Sequence, residues 1–191
     1  MKEIEEYCPK DKKDWRGWLE LNHLKKDAVW LIFHKKGTAN FNLSWSESVD
    51  EALCFGWIDS TKRTIDRETY KQYFSKRKAK SNWSRLNKNK VKTLIDQKLM
   101  SEEGYKSIEI AKENGSWTIL DEVEELIIPD DLKEEFANYN GAKAYFDRLN
   151  KSDKKGLLYW IVSAKRKETR RKRIIEIAEN AGKKLKPKQF R

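Results

Sequence analysis

The spacing of apolar residues predicts two kinds of element at the start of the chain. Trp15, Trp18 and Leu19 recur at the interval of an amphipathic helix, which we expect to begin after Asp11. The apolar run 28–33 is rich in β-branched and aromatic residues, so it predicts a short buried strand. A helix followed by a strand is therefore expected here.

The next segment predicts a capped helix and then two strands. Ser44 and Glu47 have the spacing of a capping box, and Gly56 is the residue type that ends many helices. Residues 57–59 and 70–74 favour strands joined by a polar turn. Together with the first strand they predict a small, mainly antiparallel sheet with packed helices.

From Ser81 the period becomes helical and remains so to the end of the chain. Ser101 should cap a further helix that turns Tyr105 inward and stops at Gly115. Residues 127–129 are a candidate hinge, after which we expect helices at about 130–139, 142–149, 152–164 and 168–181. The predicted class is α+β, with an α+β N-terminal lobe over residues 1–120 and an all-helical C-terminal lobe over residues 121–191.

Charge is strongly segregated along this chain of 191 residues and formal net charge +11. Residues 151–191 hold fifteen Lys or Arg against four Asp or Glu, and residues 60–98 hold thirteen against three. Residues 99–150 carry the opposite excess, five against thirteen. Because opposite blocks can neutralise each other after folding, the total overstates the charge that a partner would meet.

The sequence gives no indication of export or membrane insertion. The N-terminus has no apolar run, and no segment approaches the roughly 18 apolar residues that a spanning helix needs. We therefore expect a cytoplasmic protein without a transmembrane segment. In that reducing compartment Cys8 and Cys54 are expected to stay unpaired.

Two places could bind a ligand. Arg77, Lys80 and Trp83 join cations to an aromatic ring before a helix start, a combination that can hold phosphate and stack a base, although a solvated loop with a core tryptophan explains it as well. Trp57 and Asp59 lie on one face of a strand and resemble a pocket rim. The alternative is a core Trp57 and an Asp59 that accepts from turn amides.

The final helix combines an inward and an outward set of cations. Helical geometry places Arg170 on the apolar face, where it needs a carboxylate partner, and residues 121–135 offer many. We expect an internal ion pair there. The outward cations form a candidate partner surface and are Lys165, Arg166, Arg171 and Lys172.

The sequence offers little for catalysis. His23 and His34 lie at the ends of predicted elements, outside any metal-ligand or nucleophile pattern, and no glycine-rich phosphate loop is present. We therefore predict no catalytic residues, no metal ligands and no cofactor. The expected partner is a protein or an anionic ligand.

Four motifs in order along the chain resemble the bacterial YdeI/OmpD-associated family, also called bacteriocin-protection or OmdA proteins. They are Asp50–Asp59, Ser81–Ser84 with Asn87, Gly115–Trp117, and Ala164-Lys165 followed by Thr169-Arg170 and Arg173-Ile174. The resemblance implies a small protein linked to defence against bacteriocins and cationic antimicrobial peptides through outer-membrane partners, with no established catalytic residues. The family is often described as periplasmic, whereas this chain shows no export signal. Lys167 also stands where the family commonly has proline.

The leading hypothesis is a non-enzymatic binding protein of this family that acts in bacteriocin or antimicrobial-peptide tolerance. A second hypothesis is nucleic-acid binding through residues 76–92 and 165–173, which the inward register of Arg170 makes less favoured. A third is an uncharacterised enzyme with a pocket near Trp57 and Asp59. The sequence alone leaves all three open.

Overall fold

The computed structural model describes residues 4–191, and the chain divides into two compact units, Met1–Trp117 and Thr118–Arg191. The first unit contains a mixed sheet with helices, and the described part of the second is helical. The predicted α+β class is therefore confirmed. The boundary predicted from the sequence lies between residues 120 and 121. No helix among residues 4–191 combines the length and apolarity needed to cross a membrane.

The sheet has four strands in the order β1-β2-β4-β3. Their bounds are Glu6–Tyr7 for β1, Ala28–His34 for β2, Trp57–Thr64 for β3 and Thr69–Lys76 for β4. β1 runs parallel to β2, while the pairs β2–β4 and β3–β4 are antiparallel. The mainly antiparallel sheet was predicted, but β1 was not, because two residues are too short to show a period.

Alternation along the strands separates a core face from an open face. Val29, Leu31 and Phe33 on β2 are fully buried, while Trp30 between them is only partly buried. On the edge strand β3 the register against β4 shifts between Asp59 and Lys62. This bulge leaves two β3 residues opposite one residue of β4.

Four helices of the first unit begin at side-chain caps. They are α1 (Lys12–Asn22), α2 (Trp45–Cys54), α3 (Arg85–Asp96) and α4 (Glu102–Glu113), with caps Asp11, Ser44, Ser84 and Ser101. The reciprocal capping box of Ser44 and Glu47 is present as predicted. The third helix begins later than expected, because Ser84 rather than Ser81 accepts the orphan backbone N–H.

Two glycines let α4 pack directly on the end of α2. Gly56 has a φ of +70°, and a Cβ on Gly104 would lie 2.2 Å from the carbonyl oxygen of Cys54. The same carbonyl accepts hydrogen bonds from the backbone N–H and the hydroxyl of Ser101. Tyr105, predicted to face inward, is instead 40% exposed, because the glycine contact turns the other side of α4 toward α2.

A buried carboxylate ties α1 to α2. Glu51 is 2% exposed and accepts from the Arg16 Nη1 at 2.7 Å, with Lys12 Nζ at 3.3 Å. The Arg16 Nη2 also donates to the carbonyl oxygen of Leu99 at 3.0 Å. Because its charge is paired, this carboxylate can be tolerated inside the core.

The second unit contains five helices among its described residues and one short 3-10 turn. The helices are α5 (Asp121–Glu124), α6 (Asp130–Phe136), α7 (Ala142–Arg148), α8 (Lys151–Val162) and α9 (Lys167–Gly182). Their core brings together Leu132, Phe146, Ile161 and Ile177. The candidate hinge at residues 127–129 lies inside this unit, where it links α5 to α6.

The close approach at Gly104 predicts opposite effects for two glycine-to-alanine changes. Gly104→Ala should lower the free energy of unfolding by about 3 kcal/mol, because backbone rather than a flexible side chain blocks the new methyl group. Gly17→Ala in α1 should raise it by about 0.5–1 kcal/mol, since nothing lies within 4 Å of its Cβ position. Urea unfolding of both variants measures this, and equal effects would contradict the packing of α4 on α2.

The environment of Cys54 predicts a thiol that reacts slowly with alkylating reagents. Burial, with the charge of Glu51, raises the pKa of Cys54 to about 11. The folded state therefore binds more protons between pH 9 and 11, so this contribution to stability is present below pH 9 and is lost as pH rises through 11. At pH 8 iodoacetamide should modify exposed Cys8 at least about tenfold faster than Cys54, as mapped by mass spectrometry. Similar rates for the two thiols would show that Cys54 is not buried.

Candidate functional site

The five residues predicted to bind a ligand do not all lie together. Trp57 begins β3 and is fully buried, and Trp83 is 1% exposed in front of α3. Arg77 directly follows β4 and is half-buried, while Lys80 is exposed in the loop after it. The structure brings Arg77 against Trp83 and places both Arg77 and Trp57 at the wall of one cleft.

Asp59 belongs to a different neighbourhood from the one predicted. Its Oδ2 accepts from Trp45 Nε1 at 2.8 Å and from Gln72 Nε2 at 3.0 Å. The carboxylate is therefore neither an acceptor for turn amides nor part of the cleft lining. The predicted pairing of Trp57 with Asp59 as a pocket rim is wrong, because two side chains from α2 and β4 hold the acid away from the cleft.

Arg77 is the most unusual side chain of the first unit. Its guanidinium carbon lies 3.7 Å from the centroid of the Trp83 ring, and its Nη1 donates to the carbonyl oxygen of Asn82 at 3.0 Å. The Nε and Nη2 atoms are buried and have no hydrogen-bond partner in the part of the chain that the structure describes. At least three of the group's five N–H bonds therefore lack an acceptor among the described residues.

The electrostatics of Arg77 follow from this burial. Desolvation lowers the pKa of Arg77 to about 10, although the negative charge of Asp59 acts in the opposite direction. The guanidinium stays protonated at neutral pH, so an unpaired positive charge is held below the surface. Such a group is costly to bury without a partner, and a bound anion would relieve that cost.

The cleft beside Arg77 has a volume of about 320 Å³ and a cationic wall. Its lining combines four cations with apolar and backbone groups from β3, β4 and α4: Lys76, Arg77, Lys78, Lys106, Glu103, Ser107, Ala79, Gly56, Trp57, Phe55, His23, Leu24 and Ile110. Lys76 pairs with Asp27 at 3.0 Å, and Lys106 pairs with Glu102 and Glu103. Lys78 is exposed and forms no ion pair with a described carboxylate.

The loop that carries these cations is fixed from two sides. The backbone N–H of Arg77 donates to the carbonyl oxygen of Gly56 at 2.9 Å. The carbonyl oxygen of Ala79 accepts from Asn114 Nδ2 at 2.7 Å and from Ser116 Oγ at 3.3 Å. The position of Arg77 is therefore set by the chain on either side of it.

Aromatic packing continues from Arg77 through Trp83 to Trp117. The rings of Trp83 and Trp117 lie 4.9 Å apart, and Lys88 Nζ and Lys112 Nζ lie 5.4 and 5.7 Å from the Trp117 ring centroid. Trp117 was part of a recognised motif but was not predicted as a site residue. Its position after a turn at Gly115 gave no indication that it would reach Trp83.

The predicted basic surface of the C-terminal unit is only partly free. Lys165, Arg166 and Lys172 are exposed, but Arg171 Nη2 lies 3.0 Å from the Oε2 of buried Glu135. Arg171 does lie on the outside, as predicted, but its guanidinium is already paired with an acid of the same unit. A long side chain can leave an exposed backbone position and still reach a buried acid.

Arg170 behaves as predicted. Its Nε and Nη2 donate to the two carboxylate oxygens of Asp131 at 2.7 and 2.9 Å, a bidentate pair within the second unit. Lys155 likewise pairs with Glu124. Acids from residues 121–135 thus hold cations of the helices α8 and α9.

No group of three or more His, Cys, Asp or Glu among residues 4–191 is arranged to hold a metal ion. His23 caps the end of α1, where its ring packs beside Phe55, and His34 ends β2.

Comparisons with known proteins identify both units. A family model described as a domain of unknown function, DUF8412, matches residues 7–107, which is more than half of the chain. A second, described as Bacteriocin-protection, YdeI or OmpD-Associated (OmdA), matches residues 125–184. Searches of curated proteins and of solved structures give no match. The chain therefore belongs to the DUF8412 family, and its residues 125–184, which contain the last of the four sequence motifs, match the OmdA model.

Proposed function

We propose that this chain is a non-enzymatic binding protein that holds a small anionic molecule in the cleft beside Arg77. The observation that carries the proposal is the guanidinium of Arg77, whose Nε and Nη2 are buried without a hydrogen-bond partner among the described residues. A phosphate or carboxylate oxygen supplies the acceptors that this group lacks. Because these two nitrogens are themselves buried, the Arg77 side chain must move for them to face the ligand.

The rest of the cleft suits a ligand with both a charged and an apolar part. Lys78 and the ion-paired Lys76 and Lys106 add positive charge around Arg77. Phe55 and Ile110 supply apolar surface on the same lining. A volume of about 320 Å³ is within the range of small-molecule sites.

The position of Asp59 gives no support to catalysis by this acid at the cleft. An acid or base that acts on a ligand must lie within hydrogen-bond reach of it. The Asp59 carboxylate already accepts from Trp45 and Gln72 and does not line the cleft. The enzyme hypothesis thereby loses the acid on which it was based.

The family description supports a role in tolerance of bacteriocins or cationic antimicrobial peptides. A chain of formal net charge +11 repels a cationic peptide, so a direct trap is disfavoured. We therefore propose that the protein acts in tolerance by binding an anionic ligand or an anionic partner.

Replacing Arg77 should separate ligand binding from folding. In wild-type protein, about 10 mM inorganic phosphate or pyrophosphate should raise the Tm by about 2–4 °C over chloride of equal ionic strength. Arg77→Met should abolish this rise and leave the free energy of unfolding without phosphate unchanged or higher, since an incompletely paired buried charge is removed.

The matched control is Arg67→Met, which removes one exposed arginine from the β3–β4 hairpin and should keep the phosphate effect. A purely structural Arg77 would instead give a variant that is strongly destabilised in every buffer. A wild-type protein whose Tm does not respond to phosphate or pyrophosphate would refute the anion site.

The cellular role predicts a phenotype. Deleting the gene in its host should lower the minimal inhibitory concentration of a bacteriocin or a cationic peptide, and the wild-type gene should restore it. The Arg77→Met gene should fail to restore it at equal protein level, whereas Arg67→Met should succeed. Unchanged sensitivity after deletion would contradict the tolerance role.

A further inference from the structure

A second cleft, of about 350 Å³, lies between α3 and α4 and is bordered by the partly exposed ring of Trp117. Its lining joins three lysines to an apolar floor: Lys88, Lys92, Lys112, Asn89, Asp96, Val91, Ile95, Ile108 and Trp117. Asp96 is the acid of this lining, so the cleft itself carries a net positive charge. None of these residues lines the Arg77 cleft.

The ring of Trp117 packs against a second indole at an interplanar angle of 48°. It packs against Trp83 at 4.9 Å between centroids, and Trp83 is in turn fixed by Arg77 at 3.7 Å. Lys88 and Lys112 approach the Trp117 ring at 5.4 and 5.7 Å. An indole that is supported in this way and flanked by ammonium groups is a platform on which a planar, electron-rich group can stack.

The surroundings of the cleft have an unusual excess of positive charge. Residues 76–92 contain eight Lys or Arg and no Asp or Glu. Lys92 and Lys112 are exposed and form no ion pair with a described carboxylate. The loop that carries exposed Lys80 lies beside this cleft, because its preceding residue Ala79 accepts hydrogen bonds from Asn114 and Ser116, next to Trp117.

We propose that this surface binds single-stranded nucleic acid, with one base stacked on Trp117 and phosphates held by Lys92, Lys112 and Lys80. An aromatic platform beside unpaired cations provides the two interactions that single strands use, stacking and phosphate contacts. A base of an intact duplex is already stacked between its neighbours, so it cannot reach a ring that lies in a cleft. The lysines on the helix α3, which is about 18 Å long, can follow the backbone over several nucleotides.

The test is a fluorescence-anisotropy titration of the full chain with a labelled oligothymidylate of about twenty nucleotides at low salt. Wild-type protein should bind, and its affinity should fall steeply as salt rises. Trp117→Leu keeps apolar volume against Trp83 but removes the π face, so it should weaken binding about tenfold. Trp117→Tyr should retain most of the affinity.

The lysine variants remain informative even if a tryptophan variant folds poorly. Lys92→Ala and Lys112→Ala should each reduce the slope of log affinity against log salt by about 0.7. Lys36→Ala, an exposed lysine of equal charge in the loop after β2, should leave the slope unchanged. Equal effects of all three changes would mean general charge attraction and would overturn the site.

Two further outcomes decide the partner. Absence of oligothymidylate binding at low salt would refute the proposal. The proposal would also be refuted if a duplex of the same length or polyglutamate competed as effectively as unlabelled oligothymidylate. The surface would then recognise any polyanion. Lys92→Ala, which lies outside the Arg77 cleft, should leave the phosphate-dependent rise in Tm intact, so failure of the anion cleft and failure of this surface can be distinguished.

Discussion

The contact between the Arg77 guanidinium and the Trp83 ring determines how the first unit is arranged around its candidate sites. The 3.7 Å stack places a cation and an indole together below the surface, and neither the remaining guanidinium nitrogens nor Trp83 Nε1 has a described hydrogen-bond partner. A loop that carries such a pair cannot move freely. It is held through the carbonyl of Gly56 on one side and through Ser116 on the other, so β3, β4 and the turn before Trp117 converge there.

Several cations of the second unit, unlike Arg77, have carboxylate partners among the described residues. Its cations are numerous, but Asp131, Glu135 and Glu124 pair with Arg170, Arg171 and Lys155 within the same unit. Exposed pairs contribute about 1 kcal/mol or less each, whereas Arg171 also gives the buried Glu135 the partner without which its charge would be costly. The acidic residues 121–135 therefore act as an internal counterpart to part of the basic sequence. The contrast with the cleft beside Arg77, where a guanidinium lacks a carboxylate, makes that cleft the stronger ligand site.

Local patterns made much of the fold predictable. The capping box at Ser44, the buried strand β2 and the inward register of Arg170 depend on residues a few positions apart, and all three are present. Contacts between distant segments were not predictable in the same way. The partners of Asp59 come from α2 and β4, and the reach of Arg171 to Glu135 depends on side-chain length rather than on helical phase. The sequence predicted part of the site, because cations close to an aromatic residue indicated Arg77 and Trp83. Trp117 is distant from them in the sequence and contacts Trp83 only in the folded protein.

The bulge in β3 has a consequence for how the molecule behaves at high concentration. A sheet with free edges can recruit a strand from another copy, which begins aggregation. Here one edge strand, β1, is only two residues long, and the other, β3, is interrupted between Asp59 and Lys62 and continues with the exposed cations Lys62 and Arg63. Neither edge presents a long, regular, uncharged ladder. The sheet is thereby protected from edge-to-edge polymerisation, and beyond β1 the loop residue Asn42 forms hydrogen bonds with the free edge of β2 at Ile32 and His34.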